Sequence, residues 1–134
     1  MWYLDTNVVV YLVERRPYWG QAAAARLGAS DSSADAWALS DLTRMECRVG
    51  PLRHKDLALL KAFDEFFAAS RVRLISMTAA VFDRAAILRA DCGIRALGAL
   101  HLAAALESGC DAFLTNDLRL SKFPGIRVEM LSSA

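Results

Sequence analysis

Short apolar runs alternate with longer helical patterns along the chain. Uninterrupted runs of this length are typical of strands buried on both faces of a sheet. Five of them are predicted to be strands, at residues 2–4, 37–39, 72–77, 112–115 and 127–131. Strands separated by helices favour parallel pairing through right-handed crossovers, with helices on both faces. The pattern therefore predicts an α/β fold with a central parallel sheet of four to five strands flanked by helices.

Six segments beside the strands carry helix signals. The β-branched run at residues 8–10 would favour a second strand by propensity. Its position directly after the first strand favours instead a helix that begins near Asn7. Further helices are predicted at residues 18–27, 43–49, 54–70, 78–91 and 97–107, and a polar loop at 29–35.

Glycine and proline are expected to end or kink these helices. The positions concerned are Gly28, Gly50, Pro51, Gly93 and Gly109. Thr78 is predicted to cap the helix at 78–91. Its inner face is predicted to consist of Val81, Phe82, Ala85 and Leu88.

Composition places the chain among compact globular proteins. Hydrophobic residues make up 55% of the 134 residues and charged residues 23%, which excludes a disordered chain and predicts one domain over residues 1–134. No stretch approaches the length of a membrane span. The first residues lack the basic lead and the cleavage site of a signal peptide. A cytoplasmic protein with no membrane partner is expected.

The cysteines and His101 are interpreted as structural residues. Cys47, Cys92 and Cys110 are odd in number and lack C-x-x-C spacing. This argues against a disulfide framework or a zinc site and fits a reducing compartment, so all three are predicted to be small core residues. His101 stands among apolar residues and is interpreted as a packed histidine rather than a ligand.

Three acids stand at matching places in the predicted fold. Asp5 follows the first strand, Asp117 follows the fourth, and Glu46 lies in the helix after the second. The carboxyl ends of parallel strands share one edge of the sheet, so these carboxylates are predicted to converge there. Like charges converge only when a cation neutralises them, and oxygen ligands suit Mg²⁺ or Mn²⁺. Such an ion can activate water against a phosphodiester, which is nuclease chemistry.

Each acid also has a structural interpretation. Asp5 could cap a turn or the following helix. Glu46 stands three residues after Thr43, the spacing of a capping box, and Asp117 could cap the segment after its strand. Taken singly, these structural roles are the better interpretations. The joint occurrence of the three acids favours a common site.

Four segments carry a resemblance to a known family. In order, they read LDTN at 4–7, SDLTRMECR at 40–48, ALHLAAAL at 99–106 and FLTND at 113–117. Together they resemble the PIN-domain ribonucleases, and most of all the VapC toxins of bacterial toxin–antitoxin pairs. The resemblance spans nearly the whole chain. It implies a Mg²⁺- or Mn²⁺-dependent endoribonuclease that cleaves structured RNA such as tRNA or rRNA. It also implies a homodimer and inhibition by a cognate VapB-type antitoxin whose tail occupies the active-site groove.

The resemblance also implies which residues form the site. The family's metal-site acids correspond to Asp5, Glu46 and Asp117, and its supporting polar residues to Thr6, Asn7, Thr115 and Asn116. Outside the three acids, 16 basic residues stand against 12 acidic ones, a balance that tolerates a polyanion. Candidates for holding the RNA backbone are Arg44, Arg48 and Lys122, although helical basic residues more often just face solvent.

Gly98 departs from the family pattern. It stands just before the ALHLA segment, where the family usually has an aspartate that is a main metal ligand. The resemblance therefore implies weakened cation binding and activity. Glycine inside a helix also costs about 1 kcal/mol relative to alanine. Either a sequence altered so that a toxic enzyme could be produced or a natural variant fits this substitution.

Two functions of different classes follow. The first is a ribonuclease toxin impaired at position 98, and the second is a catalytically inactive PIN-domain protein that binds an antitoxin or RNA. A phosphatase with Asp5 as nucleophile is a poor alternative, because its D-x-D-x-T pattern needs an aspartate where this chain has Asn7.

Overall fold

Five parallel strands form the centre of the protein. The computed structural model describes residues 1–29 and 36–131; the predicted loop at 29–35 lies outside these ranges except for its first residue. The strands are β1 Trp2–Leu4, β2 Trp37–Ser40, β3 Val72–Ile75, β4 Ala112–Thr115 and β5 Arg127–Met130. Their order in the sheet is β3-β2-β1-β4-β5, and every neighbouring pair is parallel. The predicted α/β fold with a parallel sheet is confirmed.

Six α-helices are found in the described residues. They are α1 Thr6–Val13, α2 Trp19–Ala29, α3 Asp41–Arg53, α4 Leu57–Phe67, α5 Ala79–Cys92 and α6 Ala96–Glu107, and a short 3₁₀ helix follows β4 at Leu118–Leu120. The β-branched run after β1 is helical, as its position predicted, and Gly93 ends α5 with a positive φ of 66°, a conformation that favours glycine.

Two predicted helix ends are wrong. Gly28 does not stop α2, which continues to Ala29. The third helix is longer than residues 43–49, because it begins at Asp41 and continues through Gly50 and Pro51 to its end. Proline removes only its own backbone donor, and the last carbonyls of α3 still accept bonds from His54 and Asp56 at 3.0 and 2.9 Å.

The start of α4 also differs from the prediction. His54 belongs to the end of α3, and α4 begins at Leu57 rather than at residue 54. Asp56 caps it by accepting a hydrogen bond from the backbone N–H of Leu59 at 3.0 Å. An aspartate at this position satisfies one of the four free donors of the first turn.

Each face of the sheet carries its own hydrophobic core. Tyr3 and Phe113 pack with α5 and α6 on one face, while Leu4 and Leu114 pack with α1 and Phe63 of α4 on the other. Successive residues of a strand point to opposite faces, so the central strands are buried on both sides.

Two residues predicted to be buried lie at the surface. Phe82 is 51% exposed, although Val81, Ala85 and Leu88 of the same helix are buried as predicted. Cys92 at the end of α5 is also exposed, whereas Cys47 is buried. Position 82 therefore lies on the outer side of α5.

None of the helices in the described part of the chain has both the length and the apolar character needed to cross a membrane.

Truncation of Phe63 tests the core between the sheet and α4. Phe63 is 1% exposed and Leu57, on the same helix, is 73% exposed. Phe63→Ala is expected to lower the free energy of unfolding by about 3–5 kcal/mol, because it removes buried surface and leaves a cavity. Leu57→Ala is expected to change it by no more than about 0.5 kcal/mol. Urea denaturation followed by circular dichroism measures both, and equal losses would contradict the packing described.

Candidate active site

Asp5 lies where β1, α1 and β4 meet. The residue is only 8% exposed. One oxygen, Oδ1, accepts a hydrogen bond from the backbone N–H of Thr6 at 2.9 Å and so caps α1. The other, Oδ2, accepts from the hydroxyl of Thr115 at 2.6 Å. Capping, one of its two proposed roles, is therefore real, and Asp5 also lines the cleft described below.

The polar residues proposed to support the acids lie together at this edge of the sheet. Asn7 donates its side-chain amide to Asp5 Oδ2 at 3.4 Å and accepts the backbone N–H of Asn116 at 3.1 Å. The backbone N–H of Asp117 donates to Thr115 Oγ1 at 2.9 Å. These bonds tie the end of β4 to the first turn of α1.

Glu46 lies in the second turn of α3 and faces the same cleft. Its capping-box interpretation is wrong, because α3 begins two residues earlier and Thr43 accepts the Ser40 backbone N–H at 3.3 Å. Glu46 Oε1 lies 2.7 Å from Thr6 Oγ1, which donates to it, and 2.6 Å from His101 Nε2. Burial alone would raise the pKa of Glu46, but the hydrogen bonds from His101 and Thr6 outweigh it and lower that pKa below its usual value.

His101 connects the cleft to the core. It is 2% exposed, so the prediction of a packed histidine is correct as far as burial goes. Its ring also reaches Glu46, lies 3.9 Å from Asp5 Oδ1, and places Nδ1 2.7 Å from the hydroxyl of Tyr3. Sequence reasoning missed this role. The available signal was the spacing of three residues from position 98, which places both on one face of a helix.

The carboxylate of Asp117 is hydrogen-bonded by Arg119. Its Oδ1 accepts from the backbone N–H and Nε of Arg119, and its Oδ2 accepts from Nη2, all at 3.0 Å. The hydrogen bonds from Arg119 hold the pKa of Asp117 below its usual value. Asp117 also caps the 3₁₀ helix, so its structural interpretation is correct.

The predicted convergence of three acids is therefore only partly realised. Asp5, Glu46 and Asp117 line one cleft of about 810 Å³. Within residues 1–29 and 36–131, however, no three acidic, histidine or cysteine side chains are grouped closely enough to hold a metal. Both oxygens of Asp117 accept hydrogen bonds from Arg119.

Gly98 lies on α6 in the wall of this cleft. A Cβ atom built there would lie 3.4 Å from Ile94 Cγ2 and from Leu120 Cδ2, which is ordinary van der Waals contact. The backbone is helical there, and nothing in the packing demands a glycine. A Cβ atom is therefore tolerated at this position.

The cations at the cleft are not the predicted ones. Arg95 and Arg119 line it. Arg44 instead lies over the ring of Phe67 at 5.9 Å and Arg48 pairs with Asp64. Neither these two nor Lys122 is among the residues that line the cleft. Their contact with RNA stays a prediction, and Arg119 is the cation of the cleft that sequence reasoning missed.

The donor set fits a divalent ion held by two carboxylates. Mg²⁺ keeps several waters and needs only one or two protein carboxylates. Thr6 links Asp5 to Glu46, because its backbone N–H bonds to the first and its hydroxyl to the second. Glu46 Oε2 accepts no hydrogen bond from any described residue. The oxygen-only donors fit Mg²⁺ or Mn²⁺, with one acid fewer than the resembled family supplies.

Known proteins share this fold. VapBC2 from Rickettsia felis, crystallised with a promoter DNA fragment, is 20% identical with a TM-score of 0.79, covering 96% of this chain and 97% of its own. A toxin–antitoxin complex from Klebsiella pneumoniae is 22% identical with a TM-score of 0.77 over 100% of both chains. The VapC20 toxin of Mycobacterium tuberculosis, described as cleaving the sarcin–ricin loop, is 17% identical with a TM-score of 0.72, covering 95% of this chain and 99% of its own.

Sequence comparison gives the family. No curated protein matches the chain significantly. The sequence model of the PIN domain matches residues 2–126, which is most of the chain and includes Asp5, Glu46, Gly98 and Asp117. The chain therefore belongs to the PIN-domain family.

Proposed function

We propose that this chain is a metal-dependent endoribonuclease toxin of a toxin–antitoxin system, with activity impaired by Gly98. The observation that carries the proposal is the pair of carboxylates from Asp5 and Glu46, which Thr6 links within one cleft. Two carboxylates in one cleft favour a cation, because each raises the free energy of ionising the other. The cleft is also open enough, at about 810 Å³, for a phosphodiester.

The residues of the cleft have different roles in the proposed reaction. Mg²⁺ or Mn²⁺, when bound, supplies a Lewis acid for the phosphate and lowers the pKa of a water. Asp5 and Glu46 hold that ion, and Thr6 keeps both carboxylates oriented through its two hydrogen bonds. Arg95 and Arg119 are the cations that line the same cleft, and we assign to them the RNA phosphates beside the scissile bond. Asp117 orients Arg119 through its paired hydrogen bonds.

We propose as substrate a structured RNA such as tRNA or rRNA, and as partner a cognate VapB-type antitoxin that occupies the cleft. The toxin–antitoxin complexes and the sarcin–ricin loop-cleaving toxin among the structural relatives support both proposals. A homodimer in the cytoplasm belongs to the same proposal.

A non-catalytic PIN protein that binds antitoxin or RNA is the second candidate. Two observations favour it: Gly98 carries no carboxylate, and the carboxylate of Asp117 is engaged by Arg119. Cleavage assays separate the two candidates.

Restoring an acid at position 98 tests the nuclease. A Cβ atom at position 98 makes only ordinary contacts, and Gly98→Asp is expected to tighten Mn²⁺ binding at least about tenfold, the change that even outer partners of a metal ligand produce. Cleavage of mixed tRNA and rRNA with Mg²⁺ or Mn²⁺ is expected to rise accordingly, and chelation to abolish it. Gel assays of both chains in parallel measure this.

The control is Asp5→Ala in the Gly98→Asp background, which is expected to remove the cleavage. Cleavage by this chain that survives Asp5→Ala or EDTA would contradict the assignment of a metal-dependent site at Asp5. If neither chain cuts RNA with any metal, the binding protein is the better account.

Arg95→Ala tests whether RNA binds along the cleft. Measured by filter binding with EDTA present, this substitution is expected to weaken RNA binding and to reduce the slope of log K against log salt by about 0.7–1, the contribution of one phosphate contact. Arg44→Ala is the comparison, because Arg44 is a predicted RNA contact that does not line the cleft. A larger loss at Arg44 than at Arg95 would move the RNA path onto α3.

A further inference from the structure

A row of buried hydrogen bonds runs from the cleft into the core. Glu46 Oε1 lies 2.6 Å from His101 Nε2. His101 Nδ1 lies 2.7 Å from the hydroxyl of Tyr3, which lies 2.8 Å from Ser40 Oγ. Tyr3 and Ser40 are fully buried, and His101 is 2% exposed. The row joins α3, α6, β1 and β2 behind the acids.

The chemistry of the pair fixes one proton. Glu46 Oε1 lies 2.6 Å from His101 Nε2, and an ionised carboxylate only accepts hydrogen bonds. This geometry points to a hydrogen on Nε2 that is donated to Oε1. The hydroxyl of Thr6 donates to the same oxygen, so Oε1 is fully engaged. Oε2 is the Glu46 oxygen without a hydrogen bond from the described residues.

The row also fixes the orientation of the imidazole. Tyr3 holds Nδ1 from the opposite side of the ring, and the two rings meet edge to face with centroids 5.7 Å apart. A ring bonded at both nitrogens and closed off from solvent cannot rotate without breaking buried hydrogen bonds, each of which costs about 1–3 kcal/mol to leave unmade. Glu46 is therefore anchored to the core rather than to solvent.

We propose that His101 is a positioning residue for Glu46: its Nε2–H anchors Oε1, Tyr3 holds the ring, and Oε2 is left to face a cation beside Asp5. The part of this inference that concerns the cation rests on the proposed function. The hydrogen bond itself does not. Partners of this kind fix the direction of a metal-binding carboxylate and reduce the freedom it loses when the ion binds.

The first test reads the proton without any metal. In protein labelled with ¹⁵N-histidine, NMR is expected to show His101 Nε2 bonded to hydrogen, with that proton exchanging slowly with water because the ring is buried. His101→Gln identifies the signal by its loss, and His54, which is exposed, is the internal comparison. An Nε2 without hydrogen would overturn the proposal whatever the metal does.

The second test separates positioning from packing. His101→Leu removes the donor, whereas His101→Gln keeps an amide donor at about the reach of Nε2. Mn²⁺ affinity, counted as free ion by electron paramagnetic resonance, is expected to fall at least about tenfold in His101→Leu. His101→Gln is expected to recover most of it, and Tyr3→Phe to fall between them. Circular dichroism confirms that each variant is folded.

The outcomes are distinct. Equal affinity in His101→Leu and the unsubstituted chain, or equal losses in His101→Leu and His101→Gln, would overturn the positioning role. If His101→Leu does not fold, Tyr3→Phe and His101→Gln carry the comparison, and unchanged Mn²⁺ affinity in Tyr3→Phe would then contradict it. If the unsubstituted chain binds no Mn²⁺ while the Nε2 proton is present, the proposed function fails and the His101–Glu46 contact stands.

Discussion

The buried carboxylate of Asp5, a residue that is 8% exposed at the end of the central strand, constrains the elements around it. Burying a charge is expensive unless hydrogen bonds replace its water. Asp5 meets this requirement with the backbone of Thr6 and the hydroxyl of Thr115. Because the first bond caps α1, the helix must begin directly after β1, and because the second reaches β4, the two central strands must end together. The burial of the Asp5 carboxylate therefore accounts for where α1 begins and where β1 and β4 end.

The position of Asp5 also determines how the cleft is formed. Since α1 begins at Thr6, the hydroxyl of that residue is placed where it donates to Glu46 on α3. Each acid of the cleft has its own protein partner: Asp5 has Thr115, Glu46 has His101, and Asp117 has Arg119. The acids are therefore compensated by the protein itself. With no fourth carboxylate at position 98, less like-charge repulsion remains to be neutralised. A cation is therefore less needed for folding here than in a site with four acids.

Sequence patterns predicted the structural features that depend on interactions between residues close together in the chain. The five strands, the helix after β1 and the stop at Gly93 follow from apolar runs and local backbone preferences. The helix does not end at Pro51, because a proline near the end of a helix removes only one bond; the predicted alternative, a kink at this point, stays a prediction. The capping-box interpretation of Glu46 failed because the true start of α3 lies two residues before the motif.

Long-range pairing was beyond the reach of those patterns. The positions of Asp5, Glu46 and Asp117 at one cleft were predictable, because parallel strands end at one edge. The partners of the acids were not. His101 is 55 residues from Glu46, and its apolar neighbours in sequence predicted only burial. Arg119 stands beside Asp117, but whether it binds that acid or faces solvent is decided by the turn after β4.

The most direct test of the account is the location of a bound ion. Crystals of the Gly98→Asp chain soaked in Mn²⁺ and measured at the manganese absorption edge would show the ion by anomalous scattering. A peak is expected in the cleft between the carboxylates of Asp5 and Glu46, and it is expected to be lost in the Asp5→Ala variant. A peak bound elsewhere, or a cleft without manganese at concentrations that support cleavage, would contradict the claim that these two acids form the metal site.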